Sequence, residues 1–367
     1  MTRRFTALRR SAEVALLGIA PILLVGTAFW LEADQGVVAE DFRHAFLPAA
    51  RAVLHGESPY PGLHDPAVAA GAAYVYPPPA AVAAVPFGLI PTGVAVWLVT
   101  AVMLALAPVI LAVVRVRDWR CYGAALLWAP VLSSIQTCNL SLVVALGAAL
   151  AWRSRNSTHG AYVAGGIAAV KLFTWPLGVW LLFSGRTRHA FRFAVGGAAT
   201  VLASWAVIRF ADAAAYVDLA RRLNELESDD AYTLFALARE LGLAGWVAAS
   251  AWLGCGLLLI ASCARAARRG EDERSFALAV LGSLALTPIV WLHYFALLLV
   301  PLAITRPRFG VAWLLPVALW IVPVDGNDRA TWQTALVLGV AAAVGWLALA
   351  GGGRAAERRP GVVATEA

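Results

Sequence analysis

The chain has 367 residues, of which 61% are hydrophobic and only 14% charged, with a mean hydropathy of +0.73. A soluble domain carries about a quarter charged residues, so this composition excludes a soluble enzyme, a disordered chain and a disulfide scaffold. The net charge of +7 matters through its placement along the chain and does not point to nucleic acid.

The N-terminus carries Arg3, Arg4, Arg9 and Arg10, followed by an apolar stretch from about Val14 to Leu31. It is long and has no clear small-x-small cleavage site, so it reads as a retained first span with a cytoplasmic N-terminus. A loop of residues 32–92 follows. Its Phe42, Phe46, Ala50 and Val53 recur at helical spacing, which predicts a short amphipathic helix lying on the membrane, kinked at Pro48 and stopped at Gly56. The apolar run Ala80–Pro91 contains Pro86 and is too short to cross, so it reads as a re-entrant or interfacial piece.

Arginine clusters then recur at Arg115/Arg117/Arg120, Arg153/Arg155, Arg186/Arg188/Arg192, Arg265/Arg268/Arg269/Arg274, Arg306/Arg308 and Arg354/Arg358/Arg359. Placing all of them in the cytoplasm puts most of the 29 basic residues inside and leaves most acidic residues outside. Three stretches must then each cross twice: Cys121–Trp152, Gly160–Ser184 and Phe276–Thr305. Each has a polar or aromatic apex on the outer side: Gln136–Asn139, Lys171 and Trp291–Tyr294. Short half-helices persist at membrane depth only where they line a cavity within the protein, which predicts a cavity on the outer face. The expected fold is an all-α, polytopic transmembrane helical bundle of about 12 spans, several short or broken, with both termini inside. One membrane domain covers 1–353, with outer loops at 32–92 and 211–241, and 354–367 forms a short cytoplasmic tail.

The four cysteines have no metal-like spacing and read as small apolar helix residues. Asp41 sits where the loop helix begins. The plain reading is a helix N-cap; the functional one is a general base at the membrane surface, taking a proton from an attacking sugar hydroxyl. Lys171 is the sole lysine and lies inside an apolar run. Snorkelling does not explain that placement, whereas a point charge for a lipid-linked phosphate does. His293 and Tyr294 read equally well as interfacial packing residues or as phosphate and sugar contacts. Arg43, His44, Tyr60 and Tyr76 in the first loop complete the candidate substrate contacts. No histidine pairs with His293 at ligand spacing, so neither a metal nor another cofactor is expected. The sequons at Asn139 and Asn156 read as chance matches. The acidic second loop reads as a solvated face, although Asp229–Tyr232 could cover the site.

The ordered set of Asp41, Gly56…Ser58-Pro59-Tyr60, Tyr76-Pro77-Pro78, Gly165…Lys171…Pro176 and Thr287-Pro288…Trp291…His293-Tyr294 resembles the polyprenol-phosphomannose-dependent α-1,2-mannosyltransferases of mycobacteria and related actinobacteria. These are integral membrane enzymes of the GT-C superfamily. The resemblance implies an inverting transfer of mannose from a polyprenyl phosphate, presented in the outer leaflet of the plasma membrane, to a mannose-bearing glycolipid or lipoglycan. It aligns Asp41 with the family's catalytic acidic residue in the first outer loop and places Lys171 and His293 at positions suited to the donor phosphate. The family's Gly-Gln…Asn pattern is matched only loosely, by Ile135-Gln136-Thr137-Cys138-Asn139. Relatives that transfer arabinofuranose or glucose leave the sugar open. The competing classes are a transporter or lipid-linked sugar flippase and an assembly partner without catalysis. The short inner loops leave no room for a nucleotide-sugar domain, which favours chemistry outside with a lipid-linked donor.

Overall fold

The computed structural model describes residues 2–323 and 329–351, with side chains from residue 8; the tail expected at 354–367 lies outside the described residues. Among the described residues the fold is entirely helical, with no strand. Five helices are long and apolar enough to cross a membrane: Leu8–Gln35, Thr92–Val113, Thr187–Ile208, Gly245–Arg268 and Thr331–Gly351. The pair Ala129–Gln136 and Ser141–Arg153, bent by 117°, brings the number to six if counted as one span. The other apolar stretches are divided into shorter helices, each below the ~20 residues a straight crossing takes, so helix length does not yield the expected dozen spans.

The breaks fall at the three apices marked in the sequence. Ser141–Arg153 starts just after Asn139, Thr158–Ala169 and Pro176–Phe183 flank Lys171, and Asp272–Ala285 is followed by an irregular turn that leads into Leu292–Leu298. Small residues let these pieces approach closely. A Cβ on Gly165 would lie 2.0 Å from the Phe193 carbonyl oxygen, and one on Gly196 would lie 2.4 Å from that of Tyr162. Helices Thr158–Ala169 and Thr187–Ile208 therefore pack backbone to backbone, as glycine allows between membrane helices.

The first loop departs from the expectation of a helix lying on lipid. Its chain makes a π-helical turn at Phe42–Phe46 and continues as Leu47–Leu54, ending before Gly56 at φ +72°. The apolar face is packed into protein. Phe42 meets Phe87 edge-on at 5.5 Å, and Phe46 lies 4.8 Å from Tyr76 and 5.9 Å from Tyr74. Aromatic partners from residues 74–87 bury that face more specifically than a bilayer surface does. Pro78–Gly88, the short apolar helix containing Pro86, packs against this loop. In the second outer loop Tyr232 is buried; its N–H donates to the Val290 carbonyl (2.7 Å) and its hydroxyl to that of Pro323 (2.6 Å).

At the far ends of the same broken stretches, Asp272 accepts from Arg155 (2.9 Å), from both terminal nitrogens of Arg186 (2.8 and 2.9 Å) and from the Trp180 indole (3.0 Å). This cluster ties three helix ends together beneath the Trp152–Trp180–Phe276 aromatic group.

Candidate active site

The first two breaks and the first loop meet at one amide, that of Asn139, which is completely buried, and the third break joins them through Lys171. The backbone N–H groups of Ala39 and Phe42 donate to the carbonyls of Gln136 (2.9 Å) and Thr137 (3.3 Å), so the loop is docked on the apex. This docking brings Asp41 to Asn139, whose Nδ2 donates to Asp41 Oδ2 (2.8 Å) and to the Tyr76 hydroxyl (2.9 Å). Its Oδ1 accepts from Lys171 Nζ (3.1 Å) and from the N–H and hydroxyl of Ser141 (3.1 and 2.9 Å). The Ser141 bonds also satisfy a donor in the first turn of Ser141–Arg153.

Asp41 adopts helical backbone angles and makes no side-chain cap bond, so the plain N-cap reading is not realised. Burial raises its pKa above the ordinary carboxylate value; the Asn139 hydrogen bond and the charge of Lys171 work in the opposite direction. The carboxyl is therefore a stronger base than a solvated one once ionised, while a cation nearby favours the ionised form.

Lys171 is 7% exposed. Its ammonium lies 3.5 Å from the centre of the Tyr294 ring and 5.3 Å from that of Tyr76, which offsets part of the cost of removing a cation from water. Phe173 stacks on Tyr294, with ring centres 5.4 Å apart. The His293 ring lies 5.1 Å from that of Tyr294 and is 5% exposed, and neither of its nitrogens has a hydrogen-bond partner among the described residues. A buried imidazole with both nitrogens unpaired costs free energy that a bound acceptor or donor would return.

Of the residues singled out in the sequence, Asp41, Tyr76, Lys171, His293 and Tyr294 are brought together. Tyr60 stands one step back: its hydroxyl donates to the Tyr76 carbonyl (3.2 Å) and its ring meets Tyr74, Tyr216 and Trp205. Arg43 and His44 do not join the cluster. The π-helical turn aims Phe42, Ala45 and Phe46 inward, which leaves Arg43 bonded to the Gly36 carbonyl and His44 exposed. Asn139 is the central residue that sequence reasoning marked as part of an apex and of a loosely matched pattern, and read as a chance sequon, without counting it among the candidate site residues. The signal was an amide side chain in an apolar run, at the apex of a broken stretch. The preceding Cys138 holds a left-handed φ of +53°, which residues other than glycine adopt only when their surroundings require it. Among the described residues no group of three or more His, Cys, Asp or Glu side chains is placed to hold a metal ion.

No curated protein and no solved structure matches the chain. The sequence profile of Glycosyltransferase family 87 matches residues 74–292, more than half of the chain. The match takes in Tyr76, Asn139 and Lys171, starts after Asp41 and stops one residue before His293.

Proposed function

Because the chain belongs to glycosyltransferase family 87, we propose that it transfers a mannosyl residue from a polyprenyl phosphate to a mannose-bearing glycolipid or lipoglycan at the outer face of the plasma membrane. Family membership makes the chain a membrane glycosyltransferase and sets the transporter class aside. The single observation that carries the finer reading is the meeting of Asp41 and Lys171 on opposite sides of one amide. An inverting transfer needs a base on the acceptor side of the anomeric carbon and positive charge on the leaving-group side.

In this reading Asp41 accepts the proton of the acceptor hydroxyl as that oxygen attacks the anomeric carbon. The bond from that carbon to the phosphate oxygen breaks in the same displacement, and the electron pair leaves with the polyprenyl phosphate. Lys171 receives the growing phosphate charge, and an unpaired nitrogen of His293 supplies a further contact. The aromatic walls of Tyr76 and Tyr294 exclude water from the ammonium and strengthen its field. The three broken stretches are read as paired short arms that carry these groups to one depth, open to the outside, with both chain ends in the cytoplasm.

The test is to incubate the purified chain in lipid nanodiscs with polyprenyl phosphomannose and a mannolipid acceptor, and to count added hexoses by mass spectrometry. Polyprenyl phosphoarabinose serves as the competing donor. The expected result is one hexose gained by wild type and none by Asp41→Asn. Transfer of the pentose alone overturns the assignment of the sugar, and equal hexose transfer by both proteins removes Asp41 as the base.

A further inference from the structure

We propose that Asn139 is a positioning residue that keeps the carboxylate of Asp41 and the ammonium of Lys171 apart, so that neither neutralises the other before substrates arrive. The inference rests on the transferase reading for its purpose, but the separation itself is a property of the free protein. Among the described residues Lys171 and Asp41 make no direct ion pair within 4.0 Å; the link runs through the amide, with Nδ2 on the carboxylate and Oδ1 on the ammonium.

The polarity of the amide is fixed from several sides. A flipped amide would set its NH2 against the Lys171 ammonium and the Ser141 N–H, and its oxygen against the Asp41 carboxylate. The Ser141 N–H, which can only donate, therefore acts as a pin independent of the two charges, while the Tyr76 hydroxyl takes up the remaining N–H. The groups facing Asp41 come from every neighbouring element: Glu40 beside it in its own helix, Tyr76 from the first loop, Thr137 and Cys138 from the apex, Lys171 from the second break and Tyr294 from the third. Lys171 is the sole cation among them. Removing the amide leaves it one partner of opposite charge, the base itself. A direct pair would hold the carboxylate ionised but spent, and would occupy the charge meant for phosphate.

The sole lysine makes this testable without any substrate. Reductive methylation followed by peptide mass mapping reports on Lys171 alone, separately from the chain's amino terminus. Asn139→Ala is expected to slow methylation of Lys171 on the order of tenfold at a pH where the amine is mostly protonated in both proteins, because pairing with a carboxylate raises an amine's pKa by about a unit or more. Adding Asp41→Asn to that variant removes the pairing partner and is expected to restore the rate. Equal rates in the single and double variants, including no labelling of either, overturn the proposal. If Asn139→Ala does not fold, Asn139→Ser, which keeps an acceptor for Ser141, takes its place in the same pair of measurements.

Hexose transfer supplies the second readout. Asn139→Ala is expected to lower kcat and to move the acid limb of its pH profile to lower pH. An unchanged profile with slowed methylation leaves the separation standing and removes its catalytic purpose. Absence of transfer by wild type defeats the transferase reading alone, and methylation still decides the role of Asn139.

Discussion

The same three broken stretches carry a polar cluster at each end, and the two clusters are built on opposite terms. At one end Asp272 accepts from Arg155, Arg186 and Trp180, and Arg186 also donates to Asn156. Every charge there has a partner, and none of these side chains leaves a buried polar atom unpaired. At the other end Asn139 is fully bonded, yet His293 keeps two unpaired nitrogens and Lys171 has one hydrogen bond and an aromatic ring in place of three acceptors. A saturated cluster has nothing left to offer a ligand and serves to join helix ends. An unsaturated one, and here the more deeply buried of the two, is stable only because the rest of the fold holds it, which is the usual condition of a binding site.

The sharpest way to break this contrast is to remove one carboxylate from each end. Asp41→Asn is expected to cut hexose transfer by about 10²- to 10⁴-fold, the usual contribution of a general base, while the melting temperature in detergent stays the same or rises. Lys171→Met follows, with transfer lowered about 10²-fold for the loss of one charged donor to the leaving group. Its melting temperature should rise, because a buried cation is replaced by an apolar side chain of similar shape. A fall in melting temperature for Lys171→Met would mean that the ammonium is structural, and the contrast between the two ends would fail.

Asp272→Ala should reverse the pattern. It strands two guanidinium groups that are 21–29% exposed, so solvent screening reduces the penalty to about 2 kcal/mol, less than for a fully buried pair. The expected outcome is a lower melting temperature with unchanged transfer per folded molecule, measured by thermal unfolding beside the mass-spectrometric assay.

Much of this was legible from residue order, because apolar runs and arginine clusters obey strong local rules. The three apices fall where polar or aromatic residues interrupt apolar sequence, and Lys171 stood out as a lone cation. The first loop was misjudged in its partner: Phe42 and Phe46 repeat at helical spacing, which reports an apolar face but not whether lipid or protein covers it. Phe87, Tyr74 and Tyr76 cover it, and no periodicity encodes that contact. Asn139 was marked at the apex, but its central role was hidden for a related reason. Its importance lies in meeting Asp41, 98 positions away, and Lys171, 32 positions away, and single-sequence patterns carry no such distances. Arg43 and His44 were expected among the substrate contacts of the first loop, but the wider π-helical turn sends neighbouring side chains to different faces.

The smallest effect tests the saturated kind of cluster outside the broken stretches. Asp118 bonds the Arg120 guanidinium through Nε (3.0 Å) and a terminal nitrogen (2.9 Å), caps its helix through the Arg120 N–H (3.2 Å) and accepts from the Phe309 N–H (2.9 Å). Arg120 holds its pKa down at about 2, against an ordinary 3.8. A group whose pKa is lower in the folded state contributes stability that is complete above the unfolded value and fades as the pH falls toward the folded one. Between pH 3.8 and about 2 the wild-type melting temperature should therefore fall more steeply than that of Asp118→Asn, which keeps an acceptor for the helix cap but cannot ionise. The other carboxylates titrate in both proteins and cancel in the difference. The two curves should be furthest apart near neutral pH and converge as acid removes the charge. Curves that run parallel throughout would mean that the ion pair with Arg120 adds nothing beyond the hydrogen bonds, and that charge saturation at this end of the molecule is not a source of stability.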